Sequence, residues 1–457
     1  FGATSFMARR RRCRVLRDKV KASTPASTGG PIGEVPCSAT HADAPHAVIF
    51  ACVFLHILGF TMHGPMLPAL RSHFDVSASQ LGFSASAFHV GAFAAVCIFP
   101  ALSDIVGRKP VLIVSYLGVG LGFCLQSLAI WWVLPFRTFL ALRVLTGAFA
   151  GASTVVKAYI ADVASVERLP RLMAYRETAA TLAFIIGPTV GGTLLELTSL
   201  RFAVLIQGFT SLLAGILVTL LRSPARTTRR PEAPPAHDAT RGGALPAEER
   251  RPDGLAAKRC ATSWLNVAWA PIVALMVASC AYNFGQSFFE GFFPVLCSEK
   301  FGLPAHTIGA AQTAVALTVL ASTALMYDRV VTSLGLVRTA VLGLSSIAGG
   351  LALLGVAPIS CAGASPGVAA VAALLYALGI PLFSPSMPSL LARSAPSERR
   401  GLLLGVDSAV NTVGRILAPA IFGVVYDASP ARAFGLISAV VAVGVVALLF
   451  RERSLCK

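Results

Sequence analysis

The stretch ALSDIVGRKPVL (residues 101–112) sets Asp104, Gly107, Arg108 and Lys109 between two apolar blocks. A carboxylate a few residues from two cations can cap a helix or close an ion pair, glycine permits a tight turn, and Pro110 suits the first position of a following helix. Other polar groups stand deeper in apolar sequence: Arg143, Lys157, Asp407 and Arg415, and the trio Asn283, Gln286 and Glu290. Their chemistry is that of charge held away from water, namely proton exchange, recognition of a polar ligand, or ion pairing. On insertion scales an arginine at the centre of a bilayer costs about 2.5–3.5 kcal/mol, so Arg143 must face a cavity or a partner. Asn283, Gln286 and Glu290, at i, i+3 and i+7, share one helical face and read as a cavity wall, with Glu290 near the outer end of its run. Asp407 and Arg415, eight apart, fall on the same side of another helix. They read either as a titrating acid with its charge partner or as members of structural pairs with Arg393 or Arg338.

The elements that must position these groups are membrane spans. Of 457 residues, 55% are hydrophobic and 13% charged, against roughly 25% charged in a soluble domain. Apolar runs of about 20 residues, each long enough to cross a bilayer as a helix, recur twelve times: 47–69, 80–102, 110–130, 139–161, 173–196, 202–221, 266–290, 307–327, 338–357, 367–391, 402–425 and 433–450. Of the 38 lysines and arginines, 30 fall in the two tails and the even-numbered connections and 5 in the odd-numbered ones. Retention of basic loops on the cytoplasmic side places both termini there.

The net charge of +17 therefore belongs to loops. No aromatic residues interleave with the basic runs as a single-strand binding groove requires, so nucleic acid is not an expected partner. The ten cysteines form no CxxC pair and no metal spacing, there is no G-x4-G-K-[ST] phosphate loop, and no nucleophile stands beside a base. Neither an enzyme nor a metal or cofactor protein is indicated. Residues 223–263, rich in Pro, Arg and Ala, read as a disordered linker between two six-helix halves. The halves resemble each other: Glu167-Arg168 returns as Glu398-Arg399 and Pro188 as Pro419, each displaced by 231 residues, and Asp104 has a counterpart in Asp328. Residues 1–46, arginine-rich and then rich in Ser, Thr, Ala and Pro, fit an organellar transit peptide or a cytoplasmic basic tail equally well.

From Leu102 onward, Leu-Ser-Asp-Ile-Val-Gly-Arg-Lys resembles the loop between helices two and three of the major facilitator superfamily, approximately G-x-L-S-D-x-x-G-R-K, with Pro100 where the leading glycine is usual. In that family the aspartate meets the start of helix eleven and the arginine pairs with an acid at the end of helix four. The resemblance implies a conformational latch of Asp104, Gly107, Arg108 and Lys109 with Asp162 and the region near Gly401. Leu58-Gly59 followed by Pro65 and Pro68 resembles the first-helix signature of twelve-helix drug:proton antiporters, although prolines also simply end helices. Arg143 with Gly147 resembles their fourth-helix motif, whose arginine assists proton transfer; a structural ion pair is the alternative. Gly187-Pro188-Thr189-Val190-Gly191-Gly192 resembles the G-P-x-x-G-G antiporter motif, in which glycines allow close helix contact.

The expectation is an all-α membrane protein of twelve transmembrane helices in two pseudo-symmetric six-helix bundles, 47–222 and 264–450, with a tail at 451–457. It would act as a monomeric, proton-coupled exporter of small organic molecules. Arg143, Glu290, Asp407 and Arg415 are the candidate coupling groups, and Asn283 and Gln286 candidate cavity residues. A facilitator or symporter, and a ligand sensor that moves nothing, are the rival readings; plasma membrane and organellar membrane stay open.

Overall fold

A computed structural model describes residues 44–165, 167–221, 269–356, 366–394 and 400–455. The tail over 1–43 and the linker over 223–263 lie outside the described residues.

The first span joins α1 (Ala44–Thr61) through a 3-10 turn at Gly64–Met66 to α2 (Leu67–Phe74). It runs to Phe74 rather than residue 69. Pro65 breaks the α-helical ladder without ending the span, because Met66, Leu67 and Leu70 beyond it still have a core to enter. Next come α3 (Ala78–Val106) and α4 (Arg108–Trp131). Ser77 and Gln80 start α3 with a reciprocal capping box, Ser77 Oγ accepting from the Gln80 N–H and Gln80 Oε1 from the Ser77 N–H. Gly107 ends α3 at φ +108°, a region that favours glycine.

The fourth span is broken at 149–151 into α5 (Phe136–Ala148) and α6 (Ala152–Val163), followed by α7 (Leu169–Leu197) and α8 (Leu200–Thr219). The second half holds α9 (Trp269–Phe301), α10 (Ala305–Leu325), the short α11 (Tyr327–Leu334), α12 (Leu336–Val356), α13 (Pro366–Phe383), α14 (Ser386–Ser394), α15 (Arg400–Ala428) and α16 (Pro430–Leu455). Asp328, the counterpart of Asp104, opens α11. Among the described residues, twelve helical segments are long and apolar enough to cross a membrane. Leu121, Ile216 and Val443 among many others are more than half exposed, as suits side chains that meet lipid.

Within the first half α1 packs on α7 and α8, α4 on α8, and α3 on α5; within the second, α12 packs on α13 and α16, and α9 on α15 and α16. The halves meet chiefly through two helix pairs, α3 with α15 and α7 with α10, with a smaller contact of α2 on α9. Both pairs are set by backbone approach. A Cβ on Gly82 would collide with the Pro419 carbonyl oxygen, and one on Gly309 with the Pro188 carbonyl oxygen. One turn further along, Gly192 abuts Ala305, and Gly423 lies where a Cβ would stand 3.0 Å from the Ala78 oxygen. One turn further again come two carboxylates. Asp427 accepts from the backbone N–H groups of Ala78 (2.6 Å) and Ser79 (2.9 Å), and Glu196 from that of His306 (3.0 Å) and from its Nδ1 (2.5 Å). The stripe Pro188-Gly192-Glu196 thus returns 231 residues later as Pro419-Gly423-Asp427. Each stripe follows the i, i+4 row of its helix and each acid caps the free N–H groups at the start of a helix in the other half. Arg71 and Glu299 add an ion pair between the halves at this same end.

Two outcomes follow from this interface. Gly82→Ala and Gly309→Ala each lower thermal stability in detergent by about 1–3 kcal/mol through overpacking, while Gly405→Ala, with nothing within 4 Å of the added carbon, leaves it unchanged. Ser86→Cys, in a chain whose native cysteines are replaced, reports opening of this seam, because Ser86 is buried and bonded to the Ile416 carbonyl across it. Adding Asp427→Asn and Glu196→Gln together speeds its thiol labelling roughly five- to thirty-fold, the effect of losing about 1–2 kcal/mol.

Candidate functional site

Arg143 stands on α5 against α3 and is 5% exposed. Its Nε donates to the Ser84 carbonyl at 3.3 Å, and its guanidinium lies over the Phe88 ring, 5.2 Å from the centroid. Among the described residues no carboxylate pairs with it. His63, at the break in the first span, is buried within reach of the Arg143 charge and opposite Gln207, with neither ring nitrogen in hydrogen-bond geometry.

Across the interface, α15 carries Arg415 and Asp407. Arg415 Nε donates to Asn283 Oδ1 (3.0 Å) and Nη2 to Gln286 Oε1 (3.3 Å), so the α9 face of Asn283, Gln286 and Glu290 does line this site. Gln286 Nε2 in turn donates to Glu290 Oε1 at 2.9 Å. Glu290 is not at the end of its helix, as the apolar run suggested. α9 continues eleven residues to Phe301, because Phe292, Phe293, Val295 and Leu296 bury in the bundle. Asp407 meets neither Arg415 nor Arg393 nor Arg338. Its Oδ2 accepts from Asn411 Nδ2 (2.9 Å) and Ser279 Oγ (3.4 Å), while Arg338 pairs with Glu452. Eight residues of helix separate Asp407 from Arg415 by about 12 Å, so a shared side does not make a contact. His89 on α3 stands beside Phe88, with ring centroids 5.7 Å apart.

Arg108 Nε donates to Asp162 at 2.8 Å, Nη1 to Ser103 Oγ at 2.6 Å, and the guanidinium also pairs with Asp104. The side chains at 400–402, including the region near Gly401, lie outside the described residues. Lys109 has a role that its place in the motif did not disclose: Nζ donates to the Thr219 and Leu221 carbonyls, both at 2.7 Å, capping the C-terminal end of α8. The loop between spans two and three therefore ties together the second, third, fourth and sixth spans.

The Gly-Pro segment serves two neighbours. Gly187 and Gly191 leave room for Thr61 and for the Met62 carbonyl of the first span, whereas Pro188 and Gly192 face α10 of the other half. Pro65 and Pro68 line a cavity of about 530 Å³ at the sealed end together with Arg71, Asp75 and Glu299. Asp427 was absent from the sequence-derived set; its displacement from Glu196, the same 231 residues that relate Pro188 to Pro419, was the signal that could have found it. Ser279, Asn411, Ser84 and Phe88 carry no motif and emerge only from packing.

The family model described as Major Facilitator Superfamily matches residues 49–304 and 275–455. Multidrug resistance protein 1 of Bacillus subtilis is 23% identical over 405 residues, covering 87% of this chain and 94% of that protein. The class C tetracycline resistance protein of Escherichia coli is 28% identical over 190 residues, 40% of this chain and 46% of that protein. Among solved structures, a D-xylose-proton symporter superposes with a TM-score of 0.68 at 18% identity over 89% of this chain and 96% of that one, a likeness of fold alone. With its twelve helices in two bundles joined through two pseudo-symmetric pairs, the chain belongs to the major facilitator superfamily of membrane transporters and is not an enzyme.

Proposed function

We propose that the protein is a proton-coupled antiporter that exports small organic molecules by alternating access, with bundles corresponding to residues 47–222 and 264–450. The observation that carries this reading is that Arg143 and Arg415, one from each bundle, lie against the same stretch of α3 with no carboxylate partner among the described residues, between two bundles whose one end is closed by reciprocal helix caps. Charge kept inside a membrane protein at such cost marks a pathway. Export is supported by the likeness to multidrug and tetracycline resistance proteins and by the Gly-Pro segment, which brings α7 into close contact with both the first span and α10. With the basic loops on the cytoplasmic side, both termini are cytoplasmic and the capped seam is the outward gate.

Asp407 is the group to which we assign the transported proton. Its oxygens meet only neutral donors among the described residues, whereas Glu290 is linked through Gln286 to Arg415. The Arg108 cluster is assigned to switching.

Reconstitution into liposomes with an internal pH-sensitive dye tests the coupling. A gradient of a transported compound, found from a panel of small aromatic anions, cations and neutral drugs, evokes proton movement in the native chain. Asp407→Asn cuts that movement at least tenfold and leaves substrate exchange intact. Flux without proton movement in the native chain would identify a facilitator, and binding without flux a sensor. Arg108→Ala slows turnover about tenfold, as expected for loss of charge-assisted hydrogen bonds worth about 1.5–3 kcal/mol, and leaves substrate affinity unchanged in equilibrium binding.

A further inference from the structure

Along the inner part of the seam stand the guanidinium groups of Arg143 and Arg415, and among the described residues neither pairs with a carboxylate. Only one nitrogen of Arg143, Nε, has an acceptor, and at 3.3 Å that bond is long. The side chain is 95% buried, its Nη groups have no acceptor among the described residues, and no carboxylate pairs with it. Arg415 is hydrogen-bonded by two amide oxygens, which solvate its charge without neutralising it. The nearby acids are engaged elsewhere, Glu290 with Gln286 and Asp407 with Asn411 and Ser279. Arg143 belongs to the first bundle and Arg415 to the second, and both stand against one stretch of α3: Arg143 on the Ser84 carbonyl and the Phe88 ring, and Ile416, the residue after Arg415, with its carbonyl on the Ser86 hydroxyl.

We propose that Arg143 and Arg415 form the two sides of one anion site, and that the exported molecule is an organic anion whose carboxylate, sulfonate or phosphate docks between them. The proposal rests on the reading of the chain as a transporter with its site between the bundles. Guanidinium is suited to the task, since its planar fork of N–H donors matches two acid oxygens and stays charged away from water. The organic part follows from the walls. Phe88 flanks Arg143 and Phe60 packs on Phe88 with ring centroids 5.5 Å apart, so the acid group enters beside aromatic faces. Because the two cations come from different bundles and lie against the same stretch of α3, an anion held by both bridges the bundles. The cargo then supplies part of the force that draws the bundles together around it.

The test is equilibrium binding to the purified full chain in phosphatidylcholine nanodiscs, which needs no proton gradient. The probes are p-aminohippurate and estrone 3-sulfate as anions and tetraphenylphosphonium as a cation of similar apolar bulk. The expected result is saturable binding of at least one anion, at least tenfold tighter than that of the cation. Arg143→Gln and Arg415→Gln each weaken anion binding at least tenfold, and Arg143→Lys restores part of it. Melting curves without ligand keep the proposal testable: removing an unpaired buried charge leaves the Arg143→Gln chain at least as stable as the native one, but anion no longer raises its melting temperature. Tetraphenylphosphonium binding as tight as the anions, anion affinity that survives both substitutions, or no anion binding at millimolar concentration would each overturn the proposal. So would occupation of the site by phosphatidylglycerol alone, which would make the ligand a lipid headgroup. If the cation binds and drives proton movement in liposomes, the exporter reading stands and the anion assignment falls.

Discussion

The two bundles meet where a glycine allows the carbonyl oxygen of a facing helix to come closer than any side chain would permit. Lipid offers no hydrophobic drive to bring helices together, so association depends on close packing and on polar groups that find partners. Gly82 beneath the Pro419 carbonyl and Gly309 beneath the Pro188 carbonyl meet that condition at two equivalent places. A proline at the edge of each contact matters, because it relaxes the helix locally and lets its own carbonyl neighbourhood lean outward. From these contacts the rest is positioned: the caps of Asp427 and Glu196 lie two turns along the same helix faces, and Arg415 stands one turn to the other side of Pro419.

The fold was legible in the sequence because a helix that must cross about 30 Å of hydrocarbon leaves an apolar run of fixed length. The ends of the runs were less legible. The first span passes through Gly64-Pro65 to Phe74 and the seventh reaches Phe301 through Pro294, since a proline inside a packed bundle bends a helix without stopping it. The Arg108–Asp162 pair, drawn from the resemblance, is present at 2.8 Å. The Lys109 contacts with the end of α8 were not readable, because nothing in the local pattern says which distant helix ends nearby. Periodicity placed Asp407 and Arg415 on one side of a helix and Asn283, Gln286 and Glu290 on another. Only three-dimensional packing decided that Arg415 turns to the amides and that Asp407 turns to Ser279 and Asn411.

Arginine usage divides the molecule in two regimes. At the loop between spans two and three, Arg108 has two carboxylates and a hydroxyl, a fully answered charge that fastens helices of one bundle. Inside, Arg143 has one carbonyl acceptor and Arg415 two amide oxygens, and among the described residues neither meets a carboxylate. Satisfied charge stiffens a bundle, whereas open charge at a seam waits for something to answer it.

The two caps are not equivalent. Asp427, with its short side chain, grips two consecutive backbone N–H groups at the start of α3, while the longer Glu196 holds one backbone N–H and leans on the imidazole of His306, which is itself half exposed. A fork on the main chain is a stiffer tether than one shared with a side chain that can rotate away. The two edges of the seam are therefore fastened differently, one cap resting on main chain alone and the other partly on a ring that can turn, so a disturbance of the His306 side chain reaches the α7–α10 edge and leaves the grip on α3 intact.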